Sequence, residues 1–113
     1  MKIYTYITTF LCVFSLAAED RINVYLIPGQ GADCRLFANL QLDTTIFEPI
    51  CLPYSTPSEN ASMNSFARSF IKEIDTSRQF ILIGVSLGGM IATELAHICN
   101  PLKTIIISSA KTK

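Results

Sequence analysis

The chain has 113 residues, of which 50% are hydrophobic and 16% are charged, and its formal net charge at pH 7 is zero. This composition excludes an intrinsically disordered chain, which has low hydrophobicity and a high net charge. No basic cluster occurs along the sequence, so we expect no nucleic-acid partner. The length suits one domain with a modest core.

The first eighteen residues have the pattern of a secretory signal peptide. Lys2 provides the positive start, residues 3–16 are mostly apolar, and a small-x-small cleavage pattern ends at Ala17. The alternative is an uncleaved signal anchor, but the apolar stretch is shorter than the ~20 residues that a membrane-spanning helix needs. We therefore expect residues 1–18 to be removed. Residues 19–113 would then form a domain exported to the periplasm or the extracellular space, without a stable membrane span.

Three cysteines remain after this removal: Cys34, Cys51 and Cys99. In an exported protein, an odd number implies at least one unpaired thiol or an intermolecular bond. The scattered spacing resembles neither a metal site nor a disulfide framework. We therefore expect these cysteines to act as small buried hydrophobic residues.

The exported part alternates between strand and helix patterns that are joined by short connections. In chain order, the pattern predicts a strand at 21–27, a short helix at 32–40, an extended segment at 44–52, a helix at 63–74, a strand at 80–83, a helix at 87–99 and a strand at 102–109. This order is typical of an α/β fold in which a parallel sheet has helices on both faces.

The sequence Gly84-Val85-Ser86-Leu87-Gly88 matches the G-x-S-x-G pattern of a nucleophile elbow. The alternative is a glycine-rich turn with an incidental serine, since so short a pattern also occurs by chance. The flanking residues favour the elbow, because an apolar strand pattern precedes the motif and a helical pattern follows it. We therefore expect Ser86 to be a nucleophile on a sharp strand-to-helix turn.

A second motif follows the first predicted strand, where the chain reads Pro28-Gly29-Gln30-Gly31. Together with the elbow, it resembles the α/β-hydrolase family, whose corresponding loop usually reads H-G-x-G. The resemblance covers residues 21–110 and implies a partial, truncated form of that fold. It also implies an oxyanion hole made by the backbone N–H groups of Gln30 and Leu87. The alternative is an ordinary glycine turn.

A catalytic histidine and a catalytic acid, which follow the elbow in this family, are missing. The only histidine is His97, eleven residues beyond Ser86 on the same predicted helix. The helical rise places it about 16 Å along the axis, too far to act as the general base. No carboxylate follows the last predicted strand, where residues 108–111 read S-S-A-K. We therefore expect the chain to be the N-terminal part of a longer hydrolase.

The resemblance implies a serine hydrolase that acts on carboxylic esters or related acyl compounds through an acyl-enzyme, with no cofactor and no metal. Esterase, lipase, thioesterase and acyltransferase activities remain open, as does the oligomeric state. The alternatives are an inactive remnant, a non-catalytic binding module of the same fold, or a fragment completed by a second polypeptide. Three aromatic residues could line an acyl pocket, although core packing explains them equally well: Tyr25, Phe37 and Tyr54.

Overall fold

A four-stranded parallel sheet forms the centre of the structure, which is a computed structural model that describes residues 20–109. In chain order the strands are β1 (Ile22–Ile27), β2 (Phe47–Cys51), β3 (Phe80–Val85) and β4 (Lys103–Ile107). Their order across the sheet is β2-β1-β3-β4. The predicted parallel α/β architecture is confirmed. The predicted signal peptide, residues 1–18, lies outside the described residues.

Two α-helices and two 3₁₀ helices connect these strands. The α-helices are α1 (Met63–Arg68) and α2 (Leu87–Cys99), and the 3₁₀ helices cover Cys34–Phe37 and Ile71–Glu73. No helix within residues 20–109 is long and apolar enough to cross a membrane.

Two of the predicted helices are shorter than expected. The helix expected at residues 32–40 is only the 3₁₀ helix Cys34–Phe37. The helix expected at 63–74 breaks after Arg68, where the Ser69 hydroxyl donates a 2.6 Å hydrogen bond to the carbonyl of Phe66. A serine hydroxyl that bonds to a nearby carbonyl competes with the regular helical pattern, which explains the early end of α1.

The two faces of the sheet are covered unequally. The chain runs from β1 outward to β2 and then returns past β1 to β3 and β4. Since parallel crossovers share one hand, this reversal places the connections on opposite faces. Both α-helices pack on one face around a cluster that includes Tyr25, Ile27, Phe70, Leu82, Ile91 and Leu95. The other face has a smaller cluster of Val24, Leu26 and Ile83, against which Phe37 of the first 3₁₀ helix packs.

A disulfide bond joins Cys34 to Cys51, with 5.9 Å between their Cα atoms. The expectation that all three cysteines are small buried hydrophobic residues is therefore wrong for this pair, whereas Cys99 is the one free thiol within residues 20–109. The pairing follows from the sheet, because Cys51 lies opposite Leu26 at the end of β1. The segment after β1 is thus brought to the end of β2, a proximity that the sequence spacing does not reveal.

Candidate active site

Ser86 lies on the turn between β3 and α2 and is exposed to solvent. Its backbone angles, φ 54° and ψ −120°, fall in a sparsely populated region for a residue with a side chain. Holding a non-glycine residue there costs about 1–3 kcal/mol, and such strain is concentrated at functional sites. An exposed hydroxyl on a strained turn is the geometry that the G-x-S-x-G pattern predicts.

Hydrogen bonds on both sides of Ser86 hold this strained conformation. Its N–H donates to the carbonyl of Ile107 over 2.9 Å, and its carbonyl accepts a 2.6 Å bond from the Ser109 hydroxyl. The amide of Gly89, in the first turn of α2, also donates to the Ser86 carbonyl over 2.9 Å. The end of β4 and the start of α2 therefore fix both peptide groups of Ser86.

The glycines of the motif are required by close backbone approach. A Cβ atom on Gly84 would lie 2.1 Å from the carbonyl oxygen of Gly88. A Cβ atom on Gly88 would lie 2.1 Å from the carbonyl oxygen of Ile27 and 2.5 Å from that of Pro28. A real Cβ atom does not approach backbone so closely, so the positions two residues either side of Ser86 accept only glycine without a shift of the main chain.

The loop after β1 lies directly beside Ser86. A Cβ atom on Gly29 would lie 3.3 Å from the Cβ of Ser86 and 4.0 Å from its Oγ. The loop is closed by a 3.1 Å hydrogen bond from the amide of Ala32 to the carbonyl of Gly29, with Gly31 at φ 77°. Glycine readily adopts this positive φ, which is the value that a type II turn needs at its third position.

This juxtaposition follows from the strand order. β1 and β3 are neighbours, and the chain leaves β1 in one direction across the sheet and β3 in the other. In open parallel sheets, ligands bind beyond the carboxyl ends of the strands at such a reversal. The Gly29 loop and Ser86 occupy the two sides of that crevice.

The two predicted oxyanion donors lie at the edges of the same crevice. Gln30 is exposed in the loop after β1, and Leu87 is the first residue of α2. Within residues 20–109, neither of their amides donates to a protein acceptor. The start of an α-helix carries a partial positive charge, which adds to the attraction that the Leu87 amide offers to an anion.

Among residues 20–109, no imidazole or carboxylate lies in hydrogen-bond contact with Ser86. His97 is exposed in the last turn of α2, about 16 Å along the axis from the helix start at the usual rise. Glu94 lies on the same helix and accepts a 3.4 Å hydrogen bond from Asn64 of α1. Within the described part of the chain, the crevice therefore contains a serine and backbone amides without a base.

Comparison with known families places the chain in one of them. The family model described as an uncharacterised protein family, UPF0227, matches residues 38–111, which is more than half of the chain. The chain belongs to this family. The UPF0227 match contains β2, β3, α2 and β4, and thus Ser86 and Ser109, but it begins after the Gly29 loop. No curated protein and no solved structure matches the chain.

The three aromatic residues that could line an acyl pocket have different places in this UPF0227 member. Tyr25 is 1% exposed in the core, and Phe37 packs on the opposite face of the sheet. The hydroxyl of Tyr54 donates a 2.7 Å hydrogen bond to the carbonyl of Pro28, one residue before Gly29. The hydrogen bonds of Tyr54 to Pro28 and of Ser109 to Ser86 are not predicted from the sequence, because neither Tyr54 nor Ser109 belongs to a motif.

Proposed function

We propose that this member of UPF0227 is a serine hydrolase of the α/β-hydrolase type, acting on carboxylic esters or related acyl compounds with Ser86 as its nucleophile. The observation that carries the proposal is the exposed hydroxyl of Ser86 on a strained turn between β3 and α2. The position of the Gly29 loop beside that hydroxyl supports it, because acyl transfer needs hydrogen-bond donors next to the nucleophile.

The proposed reaction proceeds in two halves. The Oγ atom of Ser86 attacks the carbonyl carbon of the substrate while its proton passes to a general base, and the carbonyl oxygen becomes an oxyanion. The amides of Gln30 and Leu87 donate hydrogen bonds to that oxyanion. The bond to the leaving alcohol then breaks, the alcohol takes the proton from the base, and an acyl-enzyme remains. Water, activated by the same base, releases the acid and restores Ser86.

The position of His97 determines what this chain can contribute by itself. Since His97 lies about 16 Å along the axis from the start of α2, it is too far away to act as the general base, and no other histidine lies within residues 20–109. An oxyanion hole and substrate binding without the triad retain roughly 10³–10⁴-fold acceleration over water in characterised serine hydrolases. The same observation favours the second candidate, a non-catalytic binding module of this fold.

The disulfide supports the proposed export by a cleaved signal peptide. Disulfide bonds form and persist in oxidising compartments and are rare where thiols are kept reduced. The Cys34–Cys51 bond joins the connection between β1 and β2 to the last residue of β2.

The test is covalent labelling of Ser86 with a fluorophosphonate, in the presence of imidazole as a diffusible general base. We expect the probe to modify the peptide that contains Ser86, at a rate that increases with imidazole concentration. The Ser86→Ala variant should remain unlabelled. The matched control is Ser58→Ala, which removes an exposed loop serine and should be labelled like the natural protein.

The opposite result would be a folded protein whose Ser86 peptide stays unmodified at every imidazole concentration, or is modified no faster than other serines. Either outcome would reject the hydrolase proposal and favour the binding module. Hydrolysis of p-nitrophenyl butyrate, measured against Ser86→Ala in the same imidazole buffer, then reports whether the labelled serine also turns over.

A further inference from the structure

Tyr54, in the loop between β2 and α1, connects the aromatic core to the loop after β1. Its hydroxyl donates a 2.7 Å hydrogen bond to the carbonyl of Pro28, 26 residues earlier in the chain. Its ring contacts Phe66 and Phe70 edge to face, with 5.6 Å between the ring centroids in each pair. These aromatic contacts fix the ring, so the hydroxyl is held at one position beside the loop.

The Pro28 carbonyl is close to the peptide group that carries the proposed oxyanion donor. This carbonyl belongs to the peptide that joins Pro28 to Gly29, and the next peptide joins Gly29 to Gln30 and contains the Gln30 N–H. The second peptide is held at its carbonyl by the 3.1 Å hydrogen bond from the amide of Ala32. The Tyr54 hydroxyl holds the first peptide, and the two bonds together fix consecutive peptide planes.

The sequence of this loop makes an external support necessary. Gly29 and Gly31 lack a Cβ atom and have the greatest backbone freedom of any residue. Proline has no N–H with which to bond to neighbouring segments. On its other side the Pro28 carbonyl approaches α2 closely, since a Cβ atom on Gly88 would lie 2.5 Å from its oxygen.

The protonation state of Tyr54 suits this contact. Burial raises the pKa of the Tyr54 hydroxyl above its usual value. The hydroxyl therefore keeps its proton across the neutral range and acts as a donor, which is what the carbonyl of Pro28 requires.

We propose that Tyr54 is a positioning residue that sets the orientation of the Gln30 N–H by holding the carbonyl of Pro28. The inference rests on the proposed hydrolase function for its catalytic consequence, while the positioning itself concerns the loop alone. Tyr54 does not touch the reacting atoms. It acts through the peptide between Pro28 and Gly29.

The experiment compares Tyr54→Phe with the matched variant Tyr25→Phe. Each substitution removes one tyrosine hydroxyl from the same side of the sheet. The Tyr25 hydroxyl accepts a 2.8 Å hydrogen bond from the amide of Asp75, which precedes β3, and a 3.4 Å bond from the side-chain amide of Asn23. Within the described residues it has no bond to the loop after β1. Two readouts are taken on folded protein: the amide chemical shifts of Gly29 and Gln30 by NMR, and the rate of Ser86 phosphonylation by a fluorophosphonate in imidazole.

In Tyr54→Phe we expect both amide resonances to shift and the Ser86 labelling rate to fall about tenfold, because small misplacements in an active site cause losses of this order or larger. In Tyr25→Phe both readouts should stay at the values of the natural protein. Unchanged amide shifts in a folded Tyr54→Phe variant, or an unchanged labelling rate, would overturn the proposal.

The two readouts also separate this inference from the hydrolase proposal. If Ser86 of the natural protein is never labelled, the hydrolase proposal fails and any catalytic role of Tyr54 fails with it. The amide shifts then still decide whether Tyr54 orients the loop. If Ser86 is labelled and the Tyr54→Phe variant behaves like the natural protein, the positioning role alone is rejected.

Discussion

The hydroxyl of Ser109 donates a 2.6 Å hydrogen bond to the carbonyl of Ser86, 23 residues earlier in the chain. The two residues follow neighbouring parallel strands, and the amide of Ser86 bonds in turn to the carbonyl of Ile107 at the end of β4. The contact is tight, since a Cβ atom on Gly89 would lie 2.5 Å from the Cβ of Ser109. The conformation of the elbow therefore depends on the segment after β4 as well as on the G-x-S-x-G motif.

We expect Ser109→Ala to lower the free energy of unfolding by about 1 kcal/mol, because the Ser86 carbonyl loses one of its hydrogen bonds. Fluorophosphonate labelling of Ser86 should also slow, since the strained turn is less well held. The measurement is urea unfolding, together with labelling in imidazole. Ser108→Ala is the control, because it removes the exposed hydroxyl of the adjacent residue. It should change the free energy of unfolding by less than about 0.5 kcal/mol. Equal effects of the two substitutions would show that the Ser109 contact contributes nothing specific.

Gly88 of the elbow and Gly31 of the loop after β1 allow steric crowding to be separated from backbone strain. Gly88→Ala places a Cβ atom 2.1 Å from the carbonyl oxygen of Ile27, so the main chain must move. We expect a loss of about 3 kcal/mol or more, or failure to fold. In Gly31→Ala the new Cβ atom meets nothing within 4 Å, and only the positive φ of 77° is unfavourable. That variant should lose about 1–2 kcal/mol.

Thermal unfolding of the two alanine variants measures this difference. If the Gly88→Ala protein is as stable as Gly31→Ala, α2 does not pack closely enough against the end of β1 to exclude a Cβ atom. The family match begins after the Gly29 loop, so this comparison also tests a contact between matched and unmatched parts of the chain.

The disulfide predicts a dependence of stability on reductant. Removing the Cys34–Cys51 bond with a Cys34→Ser, Cys51→Ser double substitution should lower the free energy of unfolding by about 3 kcal/mol, given the 17-residue separation. Reduced natural protein should unfold at the same urea concentration as the double variant. Cys99→Ala is the control, since Cys99 is a free thiol and its variant should still lose stability on reduction. If the natural protein unfolds at the same urea concentration with and without reductant, the Cys34–Cys51 bond is not formed.

The sequence predicts the central part of this fold because its signals there are local. The apolar residues 80–83 before Ser86 predict β3, and the apolar residues that recur at helical spacing after Ser86 predict α2. Gly84 and Gly88 mark the turn between them. The parallel order of strands follows from their alternation with helices. These features are determined by neighbours within a few residues, and the structure agrees with them.

Other features depend on contacts that sequence spacing does not encode. The Cys34–Cys51 bond and the hydrogen bond from Tyr54 to Pro28 both require the β1–β2 pairing to bring separate loops together. The early end of α1 at Arg68 depends on the hydrogen bond of the Ser69 hydroxyl, and the spacing of the apolar residues contains no information about that bond. Ser109 likewise belongs to no sequence motif, although its hydroxyl donates a hydrogen bond to the carbonyl of Ser86.

The raised pKa of Tyr54 predicts a loss of stability at high pH. In the unfolded chain the tyrosine hydroxyl ionises near its usual pKa of about 10, whereas burial keeps the folded hydroxyl protonated to higher pH. Between the two pKa values the folded state binds more protons, so stability falls as pH rises. The contribution is fully present below about pH 10. Tyr54→Phe has no such group, and its free energy of unfolding should depend less on pH above that value, as urea unfolding across the alkaline range would measure. A natural protein and a Tyr54→Phe variant with parallel alkaline profiles would mean that the folded hydroxyl titrates as freely as the unfolded one.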